Sequence, residues 1–275
     1  MTVTARDDHA HDPGPGDAQE HWHVELVTES GLSLFARLTC WPSAGVAWWW
    51  TAVVAPDIVG PVLVRAPELA LPRTGALDVR GEGVWAELVC ETPLEHWSIG
   101  LEAFGVRLDD PLDALRDEWG ERIAVGLDLE WEAAGEPVPT HAEAPHAGYA
   151  QVGSVHGDVL LGRTTIAIDA RGVRVHEWGD PRWWTERRER AFGVAPDGSL
   201  RAHDALDAVA LDDTHRVAIV VDAPDGRHAA LHRAVCRFGG DEPADAARGW
   251  AEWREPGGGS AVTARRGPWE DHPDG

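Results

Sequence analysis

Apolar and polar residues alternate along most of this chain in short runs cut by Gly, Pro, Asp and Ser. That period of two is the pattern of half-buried β-strands, in which successive side chains point to opposite faces. Such segments run over 23–28, 32–39, 46–54, 62–65, 84–91, 96–101 and 123–131. They resume over 150–155, 159–168, 173–178, 187–194, 200–205, 217–221 and 229–237. Turn-formers such as Glu29-Ser30-Gly31 and Arg80-Gly81-Glu82-Gly83 separate them. Helical signals are sparse. A short helix is predicted at 111–119, with Asp109 or Asp110 as N-cap, Pro111 at the first position and Gly120 beyond the end. A second is predicted near 242–253, ahead of a Gly-rich flexible tail to 275. Residues 1–20 read as a disordered tail and 133–147, rich in Pro, Ala, Gly and His, as a linker. The chain is all-β.

The two halves resemble each other. Val54-Ala-Pro-Asp57 and Arg65-Ala-Pro-Glu68 are answered by Val194-Ala-Pro-Asp197 and Arg201-Ala-His-Asp204. A Trp block precedes each set, Trp48–Trp50 and Trp183–Trp184, and a strand ending in Phe-Gly follows, at Phe104-Gly105 and Phe238-Gly239. Ordered landmarks of this kind predict an internal duplication: two curled antiparallel barrels or half-barrels, at 21–132 and 148–240.

Composition narrows the function. The net charge of -23 argues against nucleic acid and anionic membrane surfaces as partners. No Lys occurs, so Schiff-base and P-loop chemistry are excluded, and no Gly-rich phosphate loop or Gly-x-Ser-x-Gly elbow is present. Cys40, Cys90 and Cys236 are too scattered for a disulfide framework or a CxxC metal site, which fits a reducing compartment. His21 and His23 have the spacing of two metal ligands but no nearby Cys or carboxylate triad, so no metal and no cofactor is expected. The N-terminus lacks an apolar signal region and no apolar run reaches membrane-spanning length, so a cytoplasmic protein is expected. Fifteen Trp against four Phe and one Tyr suit either a core or a pocket for a bulky apolar ligand.

The densest chemistry lies in Gly172-Val-Arg174-Val-His176-Glu177-Trp178-Gly179-Asp180-Pro181-Arg182-Trp183-Trp184. Strand alternation puts Arg174, His176 and Trp178 on one face and Glu177 on the other, with the Gly179 turn returning Asp180. His176, Glu177 and Asp180 are the candidate proton-transfer residues. Arg174, Trp178, Arg182, Trp183, Trp184, Trp48 and Trp50 are candidate ligand contacts. A buried Arg174 needs a carboxylate partner, whether Asp180, Glu177, Asp158 or one carried by a ligand.

With Gln151-Val-Gly153, Val155-His-Gly157 and Leu161-Gly162 upstream, the run Gly172-x-Arg174-x-His176-x-Trp178-Gly179 with Arg182 and Trp183 resembles the second domain of the tandem lipocalin-like family. That family includes carotenoid 1,2-hydratase and the AttH-like proteins. Here Glu177 stands where Ser is usual, and Asp180-Pro181 adds one residue before Arg182. The resemblance implies paired lipocalin-like units around an apolar cavity and, in the hydratase branch, protonation of a double bond followed by capture of water. Two functions stay open: a cofactor-independent hydratase or isomerase acting on an isoprenoid, polyene or acyl chain, and a non-catalytic binder of such a ligand.

Overall fold

The computed structural model describes residues 2–12, 14–73, 76–115, 118–141, 146–222, 227–239 and 246–257. In chain order the strands are β1 (Gln19–Val27), β2 (Ser33–Trp41), β3 (Val46–Val54), β4 (Val62–Ala70), β5 (Leu77–Gly81), β6 (Val84–Thr92), β7 (His96–Leu108) and β8 (Gly120–Ala133). The series continues with β9 (Val138–His141), β10 (His146–Leu161), β11 (Thr164–Gly179), β12 (Arg188–Val194), β13 (Leu200–His203), β14 (Val209–Asp222), β15 (His228–Phe238) and β16 (Ala247–Pro256).

Two antiparallel sheets result. In the larger, β4-β3-β2-β1-β11-β10-β8-β7-β6-β5 run side by side, and β4 also pairs β7 through Val62–Arg107 and Leu63–Val106. That last pairing closes a ring of β1, β2, β3, β4, β7, β8, β10 and β11, with β5 and β6 extending it. The interior is filled by Trp22, Trp49, Trp97, Trp131 and a continuous set of Val, Leu and Ile. The smaller sheet, ordered β13-β12-β16-β15-β14, lies against the outer face of β1–β3 and β11.

This stacking accounts for the sequence pattern. β6 to β8 show water on their outer face, so their burial alternates residue by residue. β1, β2 and β3 lie between the barrel interior and the second sheet and are buried along almost their whole length on both faces. Polar residues on them, including His21, His23, Glu25 and Arg37, are therefore buried between the layers. Gly153 shows how tight the interior is: a Cβ there would lie 2.2 Å from the Trp131 ring.

Several expectations are corrected. The spatial boundary between sheets follows β11, near 180–187, and not the expected linker at 133–147, because β10 and β11 bond into the first sheet. Part of that linker, β9, pairs β10. The segment expected as a disordered tail carries a 3-10 turn at Ala5–Asp8 and buries Asp8. The described part of the predicted C-terminal helix is strand β16: Ala247, Gly249 and Ala251 alternate with larger residues, and the strand pairs β12 on one side and β15 on the other. The residues 258–275 of the expected flexible tail lie outside the described residues. Within 111–119 the described residues form a 3-10 turn, Pro111–Leu115. The two Trp blocks also differ in place: Trp48–Trp50 sit in β3, whereas Trp183 and Trp184 occupy the turn before β12.

Candidate active site

β11 delivers Arg174, His176 and Trp178 to one face, as alternation requires, and that face looks into the end of the first barrel. The carboxylates that meet them come from the N-terminal segment and β1. Arg174, 2% exposed, donates from Nη1 to Asp8 at 2.6 Å, and from Nη2 to the Tyr149 hydroxyl and Gln151 Oε1 at 3.2 Å each. The Tyr149 hydroxyl, the Trp97 indole N–H (3.0 Å) and the Leu94 backbone N–H donate to the same Asp8 carboxylate. The guanidinium lies 4.9 Å from the Trp97 ring, 4.8 Å from Trp131 and 5.4 Å from Tyr149, a desolvated cation–π setting. Burial pushes the Asp8 carboxyl up, but Arg174 and these hydrogen bonds outweigh it and hold the group below its usual value.

Beside this clasp, His176 is fully buried and its Nε2 lies 2.8 Å from Glu20 Oε1. His11 Nδ1 approaches the same oxygen at 3.0 Å, and the His11 backbone N–H donates to both Glu20 oxygens. Burial raises the Glu20 carboxyl, yet its hydrogen bonds from His11 and His176 leave it lowered, so it is ionised near neutral pH. Burial lowers His176 more than Glu20 raises it. An ionised Glu20 only accepts, so the neutral imidazole carries its proton on Nε2, and Nδ1, buried with no hydrogen-bond partner among the described residues, is left as the acceptor. Trp22 stacks on this ring at 4.7 Å, Trp178 flanks it at 5.1 Å, and His11 lies parallel to Trp178 at 3.8 Å.

Glu177 points the other way. It accepts from Arg190 at 2.7 Å between the two sheets, where Arg37, Arg190 and Arg233 also surround Glu252. Burial would raise the Glu252 carboxyl, but the three arginines hold it well below its usual value. His21 and His23 lie in this layer, stacked at 5.6 Å, both lowered well below their usual value, first by burial and then by nearby arginines. Gly148 makes room for Glu177, whose Cγ would lie 2.5 Å from a Cβ there. Asp180 accepts the Arg182 backbone N–H at 2.8 Å, pinning a turn in which Arg182 adopts a positive φ of 52° and pairs with Glu186 on the surface. Trp48, Trp50, Trp183 and Trp184 belong to the core between the sheets. A cleft of about 110 Å³ there is lined by Trp48, Trp49, Trp50, Arg65 and Ile219, below the several hundred Å³ of ordinary ligand pockets.

His11, Glu20 and His176 present donor atoms within 4.8 Å of one another, a set that would suit a two-His, one-carboxylate metal. The two N···O separations of 2.8 and 3.0 Å are equally those of hydrogen bonds converging on one oxygen.

The model of a domain of unknown function, DUF7064, matches residues 4–262, a span that takes in Asp8, His11 and the whole of both sheets. The chain belongs to this family. A comparison with the curated proteins returns no match. Among solved structures, a protein assigned as AttH from Nitrosomonas europaea is similar over 92% of this chain and 97% of its own, at 14% identity and a TM-score of 0.54. That likeness establishes a lipocalin-like β-barrel fold. Kievitone hydratase from Nectria haematococca covers 92% of each chain at 9% identity, with a TM-score of 0.43.

Sequence reasoning brought Arg174, His176 and Trp178 together and separated Glu177 from them. It missed Asp8, His11, Glu20 and Tyr149. For Glu20 a signal exists, since Glu20, Trp22 and Val24 share one face of β1 by alternation. For Asp8 and His11 none does, because a polar Asp-His-Gly-Pro stretch has the composition of a tail.

Proposed function

We propose that this protein binds a bulky apolar small molecule at the barrel end walled by Trp22, Trp97, Trp131 and Trp178, and transfers protons there without a cofactor. The reaction class is addition of water to a carbon–carbon double bond, or shift of that bond. The observation that carries the reading is the buried Glu20–His176 pair, with its unpartnered Nδ1 among indole rings. An imidazole held by a carboxylate on one nitrogen is an oriented base on the other. In hydration, the ring first takes a proton from solvent at Nδ1, and the imidazolium, stabilised by Glu20, gives that proton to one alkene carbon and leaves positive charge on its neighbour. Water bonds to that neighbour and returns a proton to Nδ1, so charge and atoms balance. Trp faces steady positive charge developing on carbon by roughly 0.5–2 kcal/mol per ring. The interior as described is filled, so entry of a ligand requires the N-terminal segment to move from the barrel end.

A second reading, a binder without turnover, is favoured by the completeness of the Asp8–Arg174 clasp, which has the form of a structural ion pair. Titration of Trp fluorescence with isoprenoid alcohols, polyenes and fatty acids separates the readings when combined with His176→Asn. Saturable quenching kept in the variant, with turnover of an unsaturated ligand lost, supports the enzyme. Saturable quenching with no turnover in either protein supports the binder. Linear quenching throughout would assign the Trp to the core alone.

A further inference from the structure

Asp8 is the one member of its hydrogen-bonded cluster that the barrel does not supply. Arg174 comes from β11, Tyr149 and Gln151 from β10, Trp97 from β7 and the Leu94 N–H from the turn before it. Gln151 holds its place by donating to Leu94 and Gly135 backbone oxygens at 3.0 and 2.9 Å while it accepts from Arg174. The barrel wall thus builds a cradle of four donors, a guanidinium, a phenol, an indole and a backbone amide, converging on one carboxylate. Around it stand Trp97 and Trp131, and beside it lies the Glu20–His176 pair. The occupant arrives on a short polar segment whose 3-10 turn spans Ala5–Asp8; the Arg6 side chain is exposed, but the Arg6–Asp7 peptide bond is held by hydrogen bonds from Asp7 N–H to Thr4 O at 2.8 Å and from His9 N–H to Arg6 O at 3.3 Å.

We infer that this cradle is the recognition site for the carboxylate of an apolar acid, and that Asp8 occupies it in the unliganded protein as an internal stand-in. The inference rests on the barrel end being the ligand site and names the class of ligand: an amphipathic carboxylic acid, such as an acyl or isoprenoid acid, whose chain lies along Trp97, Trp131 and Trp22. A buried guanidinium cannot be left without an anion at small cost, so the cradle is filled either by Asp8 or by a ligand, not by neither. Ligand binding and docking of the N-terminal segment are therefore mutually exclusive. The carboxylate also fixes where the chain's carbons lie relative to His176, so position of the double bond becomes a matter of distance from the acid group.

The test compares decanoate with 1-decanol, which share a chain and differ in the head group. In Asp8→Ala, decanoate should quench Trp fluorescence at a concentration at least tenfold below decanol, and adding Arg174→Met should erase the difference. In the wild-type protein, saturating decanoate should free the Arg6–Asp7 peptide bond for cleavage by trypsin, releasing residues 1–6, while decanol should not; this arm needs no variant to fold. No other Arg or Lys precedes Arg37, so the cut is diagnostic. Equal binding of acid and alcohol to Asp8→Ala would overturn the carboxylate assignment while leaving an apolar site in place. Saturable decanoate binding that leaves Arg6 protected would overturn the exchange with Asp8. Absence of saturable binding by either probe would remove the barrel end as a ligand site altogether.

Discussion

Arg174 and Arg190 are both buried, and both pair with a buried carboxylate, at 2.6 Å to Asp8 and 2.7 Å to Glu177. Replacing either with Met deletes a charge of nearly the same volume and leaves an orphaned anion, which ordinarily costs about 3–5 kcal/mol. The two should nonetheless differ, because their partners differ in freedom. Glu177 lies near the end of β11, fully buried between two sheets on a backbone paired on both sides. Weaker neighbours, Arg188 at 3.7 Å and His21 at 3.4 Å, attenuate the loss, so about 3 kcal/mol is expected for Arg190→Met. Asp8 sits on a segment outside the sheets. Once Arg174 is gone it can swing into solvent, and the cost is capped by what docked the segment. That docking consists of a few hydrogen bonds from the barrel to Asp8 and from His11 to Glu20, each contributing about 1.5–3 kcal/mol with an ionised acceptor, against about 1–2 kcal/mol of backbone entropy regained for each residue released, so the net is small. Arg174→Met should therefore lose only about 1–2 kcal/mol and should open Arg6 to trypsin. Urea unfolding followed by Trp fluorescence, with mass spectrometry of the tryptic digest, reads both quantities. Equal losses in the two variants, with Arg6 protected in Arg174→Met, would refute the idea that the segment is a separable plug.

Acid should destabilise the fold. His232, stacked on Trp253 and lowered to about 4 by burial and then by Arg216, is neutral in the native state near its usual value of 6.5. A depressed histidine contributes stability that is fully present above 6.5 and is lost as pH falls through 6.5 toward 4, by up to roughly 3 kcal/mol. The lowered His21, His23 and His176 act in the same direction, so the urea midpoint should fall steeply across that window and His232→Phe should flatten part of the fall; a midpoint independent of pH there contradicts the burial argument. Exhaustive chelation should leave ligand binding and turnover unchanged if His11, Glu20 and His176 act as a hydrogen-bonded relay, whereas loss restored by zinc would make them metal ligands.

Much of the fold was legible because a sheet exposed on one face writes itself as alternation: the predicted 46–54 coincides with β3, and 84–91 differs from β6 by one residue. Where a strand is buried on both faces the polar positions mislead, and His21 and His23 on β1 read as a stray pair although they line the layer between sheets. β16 was read as a helix because Ala and Glu favour helices locally, and its pairing to β12 and β15 is non-local. The half-site on β11 follows from spacing within one strand. Its carboxylates come from residues more than 150 positions away, a separation that no local pattern records.

On the proposed function, Glu20 and His176 move a proton to and from a ligand at the barrel end. Glu20→Gln tests it most directly, since the amide keeps the side chain's shape while removing the charge that would stabilise the imidazolium. The protein would be incubated in D2O with an unsaturated acid that quenches its Trp fluorescence, and the recovered ligand weighed by mass spectrometry. The account predicts deuterium on the ligand's alkene carbons, or addition of one D2O, with wild-type protein, and at least a hundredfold less with Glu20→Gln at saturating ligand. Deuterium incorporation at the same rate in both proteins would contradict it.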